Sequence, residues 1–225
     1  MSAADQLLLL AWLSPSFPIG AFAYSQGLET AVTAGDVHDR ATLRGWLLDL
    51  LRYGSIRTDL LLAACAARAL EAADHDGFRR VCELALALSP SRERHLETTQ
   101  QGRSFMHALN AAWPSPRLKQ LFEPSTEIAY PIAFAAATFA HRLKLRASLS
   151  AFAAHSCANL VSAVVRLGTI GQTDGQKVIA SLTKPAQNAA AIALRASLDD
   201  LGSATLRADL ASLRHETLYS RLFRS

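Results

Sequence analysis

The sequence predicts an all-α fold: a single domain over residues 1–225, built as a helical bundle with no sheet. Three observations predict it. Half of the residues are hydrophobic and 19% are charged, so a sizeable core can be buried and disorder is excluded as the main state. Alanine and leucine, both strong helix formers, dominate, whereas aromatics make up 7% and Val and Ile are sparse. No Asn-Gly or Asp-Gly turn stands between alternating apolar runs, so no hairpin is signalled.

The elements follow from punctuation and spacing. Asp5 is placed to cap a short apolar helix through Leu13, which Ser14-Pro15-Ser16-Phe17-Pro18 stops, since two prolines three apart exclude helix. Ser25 is the expected cap of a second helix ending at Gly35, and Asp39 opens a third with Trp46, Leu47, Leu50 and Leu51 on one face. Helical stretches follow from about Asp59 to Ala73 and from Phe78 to Leu88. Ser91 to Trp113 alternates Arg92, Glu93, Arg94, Glu97 and Arg103, which reads as a solvated face with i,i+3 and i,i+4 pairs. Pro114-Ser115-Pro116 breaks the chain but is too short to separate two domains. After Pro131, the small stripe Ala133, Ala136, Ala137 and Ala140 invites a close helix neighbour. Leu160, Ala163, Val164 and Leu167, flanked by Val161 and Val165, mark a central helix ending at Gly168. Thr173 is the expected cap of the next one, with Asp174 in its first turn.

Composition also excludes function classes. A formal charge of +4, from 23 basic and 19 acidic residues, is small and scattered, unlike the basic face or arm of a nucleic-acid binder. Three cysteines, Cys65, Cys82 and Cys157, form no Cys-x-x-Cys and suit a reducing compartment, so the cytoplasm is expected. Asp5, with no Lys or Arg before the first apolar run, argues against a secretory leader, and no run reaches the ~18 apolar residues of a membrane span. The seven histidines show no His-Glu-x-x-His or clustered Cys/His spacing, so no metal site is expected.

Three segments remain to be explained. Ala23-Tyr24-Ser25-Gln26-Gly27 resembles a degenerate nucleophile elbow, which would make Ser25 an esterase serine, but a proline loop precedes it where a strand is needed. Helix cap is the expected role. Gly168 to Gly175 lacks the Lys-Ser/Thr that a phosphate loop places after its last glycine, so this chain should not hydrolyse nucleotide itself. Residues 214–225 are rich in Arg and aromatics, the types enriched at binding hot spots. Either this tail packs back on its own bundle, where burying Leu222 and Phe223 would contribute roughly 1.5–3 kcal/mol each, or it binds a partner. A helical transcription regulator also fits the composition, and would require a basic helix-turn-helix near the N-terminus.

Three blocks together resemble the UreF family of urease accessory proteins. They are Ser14 through Glu29, then Asn159-Leu160-Val161-Ser162-Ala163 leading into Gly171-Gln172-Thr173-Asp174-Gly175-Gln176, and Arg214-His215-Glu216 through Tyr219-Ser220-Arg221-Leu222-Phe223-Arg224-Ser225. Gly168-Thr169 departs from the Val-Pro type pair frequent in the family. The resemblance implies an all-helical, dimer-forming adaptor without chemistry of its own. Such an adaptor bridges the UreG GTPase and the UreD (UreH) scaffold on apo-urease, where GTP hydrolysis places nickel. Nickel and GTP would then be handled by the complex, with no cofactor held by this chain. It further implies partner-binding roles for Pro18, Gly20, Tyr24, Ser25, Gln26 and Glu29, and for Arg166, Gly171, Gln172, Thr173 and Asp174. In the tail the implied residues are Arg214, His215, Glu216, Tyr219, Arg221, Leu222, Phe223 and Arg224.

Overall fold

The protein is described by a computed structural model covering residues 2–122 and 127–225. Among these residues every regular element is helical. The order is α1 (Ala3–Trp12), a 3-10 turn (Ala21–Ala23), α2 (Leu28–Thr33), α3 (Arg40–Tyr53), α4 (Ser55–Glu71), α5 (His75–Ala87), α6 (Arg92–Ala112) and α7 (Pro116–Lys119). Then come α8 (Tyr130–Ala140), α9 (Leu145–Arg166), α10 (Gln172–Ala193), a 3-10 turn (Leu198–Asp200) and α11 (Leu206–His215).

Alanine content explains the centre. α8 is buried at ten of its eleven positions, and its Ala133, Ala136 and Ala137 face α4, which buries Ala63, Ala64, Ala66 and Ala67. Side chains this small let the two backbones approach and fill the gap without voids. α9 is the second central helix, as the Leu160 to Val164 pattern predicts, and α10 packs along it. Gly175 fits that contact because a Cβ there would stand 3.1 Å from Val165 and 3.2 Å from Val161. At 22 residues, α9 has the length and composition of a membrane span although polar residues interrupt its apolar run. More than half of that window is nevertheless buried in the bundle.

An aromatic cluster fastens the first segment. Phe17 lies 5.2 Å from Phe105 and 6.0 Å from Trp113, and Trp12 meets Phe105 edge-on at 6.1 Å. Burying such rings contributes several kcal/mol together with favourable quadrupole geometry, so the proline loop is held against α6 rather than left free.

Several caps differ from expectation. Asp39 caps α3 as predicted, but α1 is capped by Ser2, with Asp5 as the reciprocal partner three residues on. The N-cap of α2 is Gly27 at φ +79°, not Ser25, and that of α10 is Gly171, not Thr173. Gly27 is required twice over: its φ is left-handed, and a Cβ would stand 2.6 Å from the Ser212 nitrogen where α11 crosses. α4 begins four residues before Asp59, and α5 begins at His75, capped by Asp74.

The charged stripe of α6 is the main correction. It is not a solvated face: Arg94 and Glu97 are buried and paired with each other, and the Glu93 side chain is 13% exposed. Arg92 and Arg103 alone of the five remain at the surface.

Candidate functional site

The inward charges of α6 are explained by what crosses them. Residues 215–225 leave α11, run over the start of α6 and end against residues 23–25, so the first and third sequence blocks form one site. Two main-chain hydrogen bonds stitch the segments together, Arg224 N–H to the Ala23 carbonyl at 2.8 Å and Ser25 N–H to the Ser225 main-chain oxygen at 2.7 Å. The Ser25 hydroxyl donates to that same oxygen at 2.5 Å and is wholly buried. Ser25 therefore follows a 3-10 turn, not a strand, and its hydroxyl is held inside the chain, which removes the esterase reading.

Three glutamates hold the tail. Glu29 Oε1 accepts the Leu222 N–H at 2.7 Å and Oε2 the Phe223 N–H at 3.0 Å. His215, wholly buried, places Nε2 3.1 Å from Glu29 Oε2 and Nδ1 2.7 Å from Glu93 Oε2. Arg221 Nη1 donates to Glu93 Oε1 at 2.6 Å. Glu97 accepts the Ser225 hydroxyl at 2.8 Å and the Gln26 amide at 3.0 Å, and pairs with Arg94. Burial raises the Glu29 carboxyl, but the Leu222 N–H, His215 and the Phe223 N–H together outweigh it and hold the group below its ordinary range. Burial pushes Asp59, behind this site, up to about 7, with Arg94 opposing and Glu97 reinforcing.

The remaining site residues divide by exposure. Tyr24 is buried, its hydroxyl donating to Gln100 at 2.5 Å. Glu216, on the surface, accepts the Arg92 N–H at 3.1 Å at the start of α6, where a carboxylate suits the helix dipole. Phe223 is buried under the Arg166 guanidinium, 4.5 Å from its ring centre. Tyr219 is fully exposed and Leu222 is 62% exposed, so the clasp turns one apolar tail residue inward and two outward. Arg214 and Arg224 are at the surface. α11 adds Leu206, Leu210 and Leu213, spaced i, i+4, i+7 and all exposed.

Pro18 is exposed and Gly20 half-buried in the proline loop, and neither lines the second surface that their neighbours form. The proline loop and α1 form one wall of an apolar groove of about 850 Å³, with Leu10, Pro15 and Phe22 facing Ala151, Ala154 and Ala158 of α9. Arg166 lines its end, between groove and tail. Gly171, Gln172 and Thr173 are exposed, and Asp174 bonds Lys177 at 3.1 Å and Arg40 at 3.4 Å. The structure does not bring this loop to the clasp. No group of three or more His, Cys, Asp or Glu among the described residues is arranged to hold a metal ion.

Sequence reasoning missed Glu93, Glu97 and the outward leucines of α11. A signal for the first pair existed: like charges at i, i+4 repel on a solvated helix face. Their presence there, ahead of Gln100 and Gln101, is better explained by partners brought in from elsewhere.

The UreF family model matches residues 37–183. The chain is 52% identical over 222 residues to a urease accessory protein UreF of Methylorubrum populi, covering 98% of this chain and 99% of that one. It is likewise 52% identical to those of Rhodopseudomonas palustris strain BisA53, covering 99% and 94% of the two chains, and Xanthobacter autotrophicus, covering 97% and 90%. These are accessory proteins by name, not enzymes. The chain belongs to the UreF family of urease accessory proteins.

Proposed function

We propose that this protein is a non-catalytic adaptor in urease maturation, bridging a UreG-type GTPase and a UreD (UreH)-type scaffold on apo-urease while GTP hydrolysis drives nickel insertion. The observation that carries the reading is the outward apolar ridge of Leu206, Leu210, Leu213, Tyr219 and Leu222. A helix normally turns such a stripe to its core, so one left outside is suited to a partner's groove. The scaffold is assigned to this ridge. Partner contact falls to Tyr219, Leu222 and the surface arginines, while Phe223, Ser25 and Tyr24 support them from within.

The second surface suits a homodimer. A groove of about 850 Å³ beside exposed Leu10 and Phe22 offers both a recess and a ridge to fill a copy's recess, as a two-fold contact requires. The first turn of α10, Gln172-Thr173-Asp174, is left for the GTPase. Arg166 is engaged over Phe223, so acting on the GTPase would require it to leave that ring.

As an adaptor, the protein acts through coupled equilibria. Binding one nucleotide state of the GTPase more tightly by about 1–3 kcal/mol shifts that state's population by the same factor, enough to give nickel release a direction. The test is size-exclusion chromatography with light scattering of this protein with both partner types, with and without GTP and nickel. A nucleotide-dependent complex is expected; no complex in any condition overturns the reading. A transcription regulator lacks support here, since α1 and α2 contain no Lys or Arg.

A further inference from the structure

The carboxylate of Glu29 meets the N–H groups of two successive tail residues, Leu222 and Phe223, at 2.7 and 3.0 Å. Leu222 and Phe223 lie in a bend, and the bend turns both successive N–H groups towards one carboxylate, whereas an extended strand would point them to opposite sides. With the bend held in this way, Phe223 faces in, 4% exposed under Arg166, and Leu222 faces out. The same carboxylate touches His215, the last residue of α11, and His215 also meets Glu93, which Arg221 approaches from the tail. Both ends of the segment 215–223 are thus referred to one side chain on α2. The two N–H groups reach separate oxygens, and an amide would replace one of these acceptors with an NH2 donor facing an N–H.

We infer that Glu29 is the positioning residue for the partner-binding tail: it holds the bend that presents Tyr219 and Leu222 outward before any partner arrives. This rests on the reading that the tail docks a partner. Pre-setting the bend removes an ordering cost from binding, because a partner meets the competent state instead of selecting it from a mobile segment.

The experiment compares Glu29→Gln with a Tyr219→Ala/Leu222→Ala double variant in the full chain. Amide hydrogen exchange is followed residue by residue, and affinity for a purified UreD-type scaffold is measured by calorimetry. Glu29→Gln is expected to abolish protection at Leu222 and Phe223, keep it in α4 and α8, and weaken binding at least tenfold. The double variant should weaken binding with the tail amides still protected. Retained tail protection in Glu29→Gln overturns the inference. So does lost protection with unchanged affinity, if the double variant still binds poorly; the docking reading then stands alone. Unchanged affinity in the double variant overturns the docking reading and the inference with it. Should Glu29→Gln fail to fold, Glu93→Gln offers the same two readouts from the other side of His215.

Discussion

The tail clasp and the apolar groove meet at Arg166 yet are built from opposite chemistry. The clasp draws Glu29, Glu93 and Glu97 from two helices onto His215, Arg221 and main-chain N–H groups of a distant segment. The groove is a gap between α1 and α9, shaped by alanines and lined by few polar groups. Charge-assisted hydrogen bonds inside a protein are strong when complete and costly when one member is removed. An apolar recess loses little from one substitution and responds to shape, not to pH. The two surfaces should therefore fail in different ways.

The largest effect is expected from Glu29→Ala, which strips the buried His215 Nε2 of its partner and the Leu222 and Phe223 N–H groups of their acceptor. Denaturant unfolding should show a loss of about 3–5 kcal/mol, the usual cost of halving a buried pair. Gly27→Ala comes next. It combines a left-handed backbone with a Cβ 2.6 Å from Ser212 N, and about 2–4 kcal/mol should be lost through strain and displacement of α11. A loss below ~1 kcal/mol would mean that α11 yields freely.

Acid should separate the two surfaces without mutation. Folding holds Glu29 below its ordinary value of 4.5, so its contribution is present above that value and lost as pH falls through the lower folded one. Amide shifts of Leu222 and Phe223 should report release at acid pH, while the shape of the groove should persist. Asp59 has the opposite sign. Its carboxyl is raised from 3.8 to about 7, so ionising it costs stability as pH rises between those values. Asp59→Asn should therefore raise Tm at pH 8 and change it little at pH 4; the reverse order would place Asp59 in a favourable ion pair. The smallest effect on the fold belongs to Ala154→Arg in the groove, within about 0.5 kcal/mol as for an exposed site. Light scattering should nonetheless find its dimer lost and its scaffold binding intact.

Much of the fold was legible because the signals are local. Asp39 caps its helix as the sequence suggests, and the Ala133 to Ala140 stripe packs as a small-residue face must. Gly27 and Gly171 stand at the N-caps where a serine and a threonine were expected, although the Ser25 hydroxyl still accepts the Glu29 N–H in the first turn of α2 at 3.3 Å. The candidate site was half legible. Tail composition pointed to burial or binding, and the structure buries Phe223 and leaves Leu222 exposed. On the acidic side of the clasp, the i,i+4 repulsion of Glu93 and Glu97 hinted at outside partners, but the tail groups they meet lie 122 to 128 residues away, beyond the reach of any local rule.

Hydrogen exchange of this protein with and without a UreD-type scaffold tests whether α11 and the tail ridge form the proposed scaffold surface. New protection is expected along α11 and at residues 219–222, with the α9 wall of the groove unchanged. Protection confined to the groove, with α11 and the tail exchanging as in the free protein, would contradict it.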